Sequence, residues 1–113
     1  MKVTKDHAQL TPKEKMDIAV GSCVPMAQSP EEFLAVNFAI VEKEAEDGEV
    51  LKLGVVVAEH GTTYVSRSTG IIRCISDMID ILGAEMAWYV FPIRKLEKLT
   101  KNGRTVKLIT FAE

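Results

Sequence analysis

The chain has 113 residues, of which 47% are hydrophobic and 27% are charged, and its formal net charge is −2. This length and composition predict one folded domain and argue against intrinsic disorder. No apolar run approaches the roughly 20 residues that a membrane-spanning helix needs, and the N-terminal residues lack the apolar stretch of a signal peptide. Cys23 and Cys74 are isolated cysteines that we interpret as small core residues in a reducing compartment, so we expect a cytoplasmic protein.

The N-terminal third of the chain predicts an arm and a helix. Residues 1–10 show no periodicity and predict a loose, flexible arm. The helix follows because Thr11 can cap it, Pro12 suits the first helical position and Glu14 completes a capping box. Gly21 predicts its end. Its apolar stripe is formed by Met16, Ala19 and Val20.

Three strands are predicted next, as a meander. The stretch "FLAVNFAIVEKEA" from Phe33 has apolar residues on both faces, so we expect both faces to be partly covered. The turn signal "EDGE" leads to a second strand, "VLKLGVVVAE". A turn at His60 and Gly61 leads to a short third strand within "HGTTYVSRS".

A second helix and a hairpin complete the order. The stretch "STGIIRCISDMIDILG" has apolar residues at helical spacing, with Ser68 or Thr69 as the N-cap and Gly83 at its end. Two strands then flank the turn signal Asn102-Gly103, and Pro92 indicates an edge strand or a bulge. The result is a mostly β fold with two helices (α+β), in the element order of a five-stranded OB-type barrel.

The sequence offers no convergent catalytic groups. His7 lies in the predicted arm, and His60 lies in a turn without a nucleophile motif. Asp77 and Asp80 are three residues apart on a helix, which favours a solvated face over a metal site. Hydrolase, zinc-protease and nucleotide-binding motifs are also lacking. We therefore expect no enzymatic activity, no metal ion and no cofactor.

Charge is distributed unevenly along the chain. Residues 31–49 contain seven acids and one base, whereas residues 94–107 contain six bases and one acid. Such asymmetry gives the molecule two electrostatic poles and can orient a charged partner. The basic pole, which begins at Arg94, lies on the predicted C-terminal hairpin.

The register of this hairpin determines which charges meet. If Asn102-Gly103 is a two-residue loop, Lys101 faces Arg104 and Lys98 faces Lys107. Like charges directly opposite each other cost roughly 0.2–1 kcal/mol per pair. A longer loop would shift this register. In any register the hairpin tip brings bases together, and a bound polyanion would relieve their repulsion.

Binding to single-stranded nucleic acid also uses aromatic side chains, on which bases stack. Alternation along a strand places Trp88 and Tyr89 on opposite faces, so we expect one of the two to be exposed. Tyr64, which is followed by Arg67, is the other aromatic residue that we expect to contact a base.

The two segments "NFAIVEKEAEDGEVLKLGVVVAEHGTTYVSRSTGIIRCISDMIDILG" and "FPIRKLEKLTKNGRTVKLITF" resemble small single-stranded DNA-binding proteins encoded by phages and mobile elements of Gram-positive bacteria. The resemblance covers residues 33–111 and is carried by "EHGTTYVSRS", "DMIDILG" and "KLTKNGRTVKL". It implies an OB fold, DNA binding without sequence preference and no cofactor. It places the site on Phe38, Tyr64, Lys98, Lys101, Arg104 and Lys107, with Lys52 and Arg67 as secondary positions.

These observations predict a single-stranded DNA-binding protein that acts in phage or prophage replication or recombination, in the cytoplasm of a bacterial host cell. The predicted DNA-contacting residues are Phe38, Lys52, Tyr64, Arg67, Trp88, Arg94, Lys98, Lys101, Arg104 and Lys107. The alternative is a protein interaction module without nucleic-acid binding. In that case the acidic first hairpin of one copy would dock on the basic last hairpin of another, in a homodimer or a higher homo-oligomer.

Overall fold

The computed structural model describes residues 1–83 and 89–112. Its helices and strands are β1 (Lys2–Asp6), α1 (Pro12–Val20), β2 (Val24–Pro25), a 3₁₀ turn (Met26–Gln28), β3 (Glu32–Glu44), β4 (Val50–Ala58), β5 (Thr63–Ser66), α2 (Thr69–Leu82), β6 (Phe91–Leu99) and β7 (Thr105–Phe111). The fold is mostly β with two helices, as predicted. The described residues form seven strands, two more than expected, because β1 and the two-residue β2 have no clear pattern in the sequence.

The long strand β3 organises the sheet. One of its edges pairs with β4, while the other pairs with β6 at residues 32–35 and with β1 at residues 39–42. Strand β5 pairs with β4, and β7 pairs with β6. The short β2 runs parallel to β5. The sheet is strongly curled into a half-barrel, which contains both the predicted meander and the predicted C-terminal hairpin.

Helix α2 fills the concave face of this sheet. Of the two candidate caps, the Ser68 side chain accepts a hydrogen bond from the Ile71 backbone N–H, and Gly83 ends the helix as predicted. Five side chains of α2 are buried against the sheet. Each contributes roughly 1.5–3 kcal/mol relative to full exposure, so the apolar stripe seen in the sequence determines where the helix packs. These residues are Ile71, Ile72, Ile75, Met78 and Ile79.

Helix α1 lies on the opposite face of the sheet, where a second apolar cluster includes β3 and β4 residues. The predicted ends are confirmed: Thr11 and Glu14 form both hydrogen bonds of the capping box, and Gly21 adopts a left-handed φ of 76°. The predicted stripe is wrong, because Ile18 is the only helix residue buried against the sheet. The residues that we expected to be buried are exposed: Met16, Ala19 and Val20.

Within the predicted loose arm at residues 1–10, Lys2–Asp6 form a strand instead. Strand β1 pairs with β3 from Lys2 opposite Glu42 onward, and a register shift between Val3 and Lys5 breaks the alternation that would have revealed a strand. The Lys5 ammonium also reaches α2, 2.6 Å from an Asp80 carboxylate oxygen and 2.8 Å from the Ser76 hydroxyl. The first strand therefore connects the sheet to the helix.

Candidate nucleic-acid interface

The β6–β7 hairpin ends in a three-residue loop. The Thr100 N–H donates to the Arg104 carbonyl at 2.8 Å, the Gly103 N–H donates to the Thr100 carbonyl at 3.0 Å, and Gly103 has a φ of 75°. This is the geometry of a type I turn followed by a left-handed glycine. The predicted turn at Asn102-Gly103 is thus present, and of the two loop lengths considered the longer one forms.

The longer loop changes which side chains face each other. Lys98 pairs with Val106, and Lys107 pairs with Glu97. Since neighbouring residues of a strand point to opposite faces, Lys98 and Lys107 lie on opposite faces of the hairpin. The predicted like-charge pair between them therefore does not form. Repulsion between Lys98 and Lys107 therefore does not favour anion binding here. An anion site at this hairpin would depend on its solvent-exposed bases.

Two bases of this hairpin have partners within the protein. The Arg94 Nε lies 2.7 Å from a Glu32 carboxylate oxygen, and both side chains are about half exposed. Such surface pairs contribute about 1 kcal/mol or less. The Lys95 ammonium donates to the carbonyls of Ala27 and Ser29, at 3.2 and 2.9 Å. Lys95 thus holds the 3₁₀ turn against the hairpin, a role that composition did not indicate.

The other four bases of the hairpin are exposed to solvent. Among residues 1–83 and 89–112, the structure places no carboxylate within 4.0 Å of their charged nitrogens. The strands and the turn present them from both faces of the hairpin and from its tip. These residues are Lys98, Lys101, Arg104 and Lys107.

Lys52 and Arg67 extend this surface beyond the hairpin. Both are exposed, and they line one shallow depression beside the first turn of α2, together with Thr69, Val50 and the acidic side chain of Glu49. We call the six exposed bases the basic band. Four of its members lie on the two faces and the tip of the β6–β7 hairpin, and two lie beside the first turn of α2. Its members are Lys52, Arg67, Lys98, Lys101, Arg104 and Lys107.

A cleft of about 770 Å³ opens beside the basic band, between the hairpin and the start of α2. Its lining includes Met26, Leu96 and Lys107, and also the acidic side chains of Glu31 and Glu97. Gly70 allows helix and hairpin to approach, because a Cβ there would lie 3.1 Å from a Leu108 methyl carbon. A cleft of this size accommodates a small organic group. The sequence did not reveal the cleft, although a glycine in the first turn of a helix is a signal of close packing.

Comparison of the chain with protein-family models, with curated protein sequences and with solved structures found no match. Its function is therefore inferred from its own residues.

Two aromatic residues of the predicted site are in the core. Phe38 is fully buried, with its ring centroid 6.0 Å from that of Phe91. Tyr64 is 5% exposed, packs on Phe33 and places its hydroxyl 3.3 Å from His60 Nε2. Neither ring has a face free for a base. The expected exposure of Tyr64 is wrong because the concave face of a small curled sheet needs large side chains to fill it.

The remaining aromatic predictions concern Trp88 and Tyr89. Trp88 lies outside the described residues. Tyr89 is 60% exposed, so the described part of the chain has an exposed aromatic ring at one of the two positions.

The described residues do not assemble a metal site, since no three His, Cys, Asp or Glu side chains among them converge. Cys23 and Cys74 are partly buried and pack on the two apolar clusters. Burial, with a smaller effect of the Asp17 carboxylate, raises the pKa of the Cys23 thiol, which opposes the thiolate that a nucleophile requires. No helix in the described ranges combines the length and apolarity needed to cross a membrane.

Proposed function

We propose that the protein binds single-stranded DNA without sequence preference, through the basic band and the adjoining cleft. One observation carries the proposal: six exposed bases lie on the C-terminal hairpin and beside the first turn of α2, and among the described residues none has a carboxylate partner. A polyanion that neutralises such charges releases its condensed counterions, and this release favours binding regardless of base sequence.

We infer further that β3, β4, β5, β6, β7 and α2 form an OB-type barrel that is not fully closed. The neighbour order β5-β4-β3-β6-β7, with α2 between β5 and β6 in the chain, supports this inference because OB folds are partly open five-stranded barrels that bind oligonucleotides. Together with the resemblance of residues 33–111, it favours a role in phage or prophage replication or recombination.

Electrostatics is expected to supply most of the affinity. In the described part of the chain, no aromatic ring faces solvent within the basic band, so base stacking has no platform there. The cleft offers Met26, Leu96 and Leu108 as apolar contacts for a nucleobase, and Lys107, which faces Glu97 across the strands, for the adjacent phosphate. Aliphatic contacts of this kind do not discriminate between bases.

The affinity for oligo(dT) is expected to fall steeply with salt. Each phosphate contact to a single strand contributes about 0.7 to the slope of log K against log salt, so six contacts give a slope as steep as about −4. Binding is measured by the fluorescence of Trp88, the only tryptophan of the chain. Quenching that high salt reverses would support the proposal. Binding that is indifferent to salt, or equally tight to a duplex of the same length, would contradict it.

The substitution Tyr64→Phe is expected to leave the affinity for oligo(dT) unchanged within about twofold, because the ring is buried and contributes no phosphate contact. Lys107→Gln is the matched comparison. Losing one phosphate contact lowers affinity about fivefold at roughly 0.1 M salt. Both affinities are measured in one fluorescence titration series. If Tyr64→Phe greatly lowers the affinity for oligo(dT) and Lys107→Gln does not, the DNA binds at a surface other than the one proposed.

A further inference from the structure

The two charged hairpins have the same turn geometry. At the β3–β4 turn the Ala45 N–H donates to the Glu49 carbonyl at 2.7 Å, and the Gly48 N–H donates to the Ala45 carbonyl at 2.9 Å. Gly48 has a φ of 85°. These are the hydrogen bonds found at the β6–β7 turn, so both hairpins present a three-residue loop of the same shape.

Each turn is also flanked mostly by charges of one sign and by an exposed aliphatic side chain, although Lys52 lies two residues beyond Val50 and Glu97 faces Lys107. In the first cross-strand pair beside its turn, one hairpin has Val50 opposite Glu44, and the other has Leu99 opposite Thr105. Val50 is 63% exposed and Leu99 is 71% exposed. We call the exposed residues Glu44, Glu46, Asp47, Glu49 and Val50 the acidic tip, and Lys98, Leu99, Lys101, Arg104 and Lys107 the basic tip.

The two tips are complementary in composition, because their charges are opposite and each has an exposed aliphatic side chain. Protein interfaces commonly combine apolar side chains with polar or charged groups around them, and each tip has one exposed aliphatic side chain among its charges. Their opposite charges attract over a Debye length, about 10 Å at 0.1 M salt. None of the tip carboxylates has a base within 4.0 Å among the described residues.

Among residues 1–83 and 89–112, no ion pair joins the two tips of one molecule. The acidic tip follows the C-terminal end of β3, at Glu44. The basic tip lies beyond the N-terminal end of the same strand, because Arg94 is opposite Glu32 and β6 then continues to Leu99. In the pairing register, the 13 residues of β3 therefore lie between the two turns.

We propose that the acidic tip of one copy docks on the basic tip of another copy of this chain. The contact is head-to-tail, so each added copy leaves one free tip of each sign and the assembly is not limited to a dimer. Two hairpin tips bury a small area, which places the contact among weak, transient interfaces. The proposal does not rest on DNA binding. Where both occur, the acidic tip and DNA compete for the same bases, so assembly regulates access to the basic tip.

A charge-swap experiment tests this contact in the absence of nucleic acid. One variant carries Lys98→Glu, Lys101→Glu and Arg104→Glu, so both of its tips are acidic. The other carries Glu46→Lys, Asp47→Lys and Glu49→Lys, so both of its tips are basic. Sedimentation velocity at low ionic strength, roughly 0.02 M where screening is weak, is measured for the unchanged protein, each variant and their mixture.

The unchanged protein is expected to sediment faster as its concentration rises, and to return to a single copy at roughly 1 M salt. Each variant alone is expected to stay a single copy, and the mixture is expected to form a faster species. A control with Lys2→Glu, Lys13→Glu and Lys15→Glu has the same net charge as the first variant and should associate as the unchanged protein does.

Three results would overturn the proposal: an unchanged protein that remains a single copy, a variant that associates as well as the unchanged protein, or a mixture that forms no faster species. Formation of the mixed species would also show that both variants are folded. Because no DNA is present, failure here leaves the proposed DNA binding standing, and failure of DNA binding leaves the association standing.

Discussion

Replacing Lys98, Lys101 and Arg104 with Glu is expected to lower the affinity for oligo(dT) by at least about 100-fold at roughly 0.1 M salt. Three lost phosphate contacts account for this factor, and the introduced carboxylates add repulsion. The salt dependence should also become shallower, by about two units of slope. Fluorescence anisotropy of a labelled oligonucleotide measures both quantities.

The control for this prediction makes the same change in net charge at residues outside the hairpin. Lys2, Lys13 and Lys15 lie on β1 and α1, outside the basic band, so replacing them with Glu should leave binding within about threefold, as expected when no phosphate contact is lost. Thermal unfolding followed by circular dichroism checks that both variants fold. If the control loses affinity as strongly as the hairpin variant, net charge and not the basic band determines binding.

The substitution Gly54→Val is expected to lower the free energy of unfolding by about 3 kcal/mol, the upper part of the range for overpacked cores. Gly54 lies in β4 directly beneath α2. A Cβ there would be 2.6 Å from the Ile75 Cδ1 atom and 3.2 Å from the Ile72 Cγ1 atom. Since Ile75 is fully buried, it cannot swing into solvent. The melting temperature should fall by roughly 10–20 °C.

A rescue variant identifies the cause of this loss. Gly54→Ala is expected to cost about 1 kcal/mol, and adding Ile75→Val removes the Cδ1 atom that the new Cβ would meet. The double variant should therefore be more stable than the sum of the two single changes predicts, as measured by urea denaturation. If the two stability changes simply add, the Gly54 position of β4 and the Ile75 side chain of α2 are not in contact. If Gly54→Val leaves the free energy of unfolding unchanged, the close packing of α2 on β4 is contradicted.

The candidate site was only partly predictable from the sequence. Composition alone located the bases of the C-terminal hairpin, because they are close together along the chain. It did not distinguish Lys95, which holds two backbone carbonyls, from Lys98, which is exposed. That distinction depends on a turn 66 residues earlier in the chain, at Ser29. Arg94 was likewise indistinguishable from its neighbours until the pairing of β6 with β3 brought it to Glu32.

By itself the sequence determined the features whose physical cause is local. The Thr11 cap, the apolar stripe of α2 and the glycine turns follow from hydrogen bonds and backbone angles within a few residues. Only the tertiary structure decided that β1 pairs with β3 and that Phe38 and Tyr64 are buried. Those outcomes depend on which distant segments compete for one edge of β3 and for one concave face. The free energy of such burial comes from contacts between residues that are far apart in the chain. A short stretch of sequence does not contain both partners of such a contact.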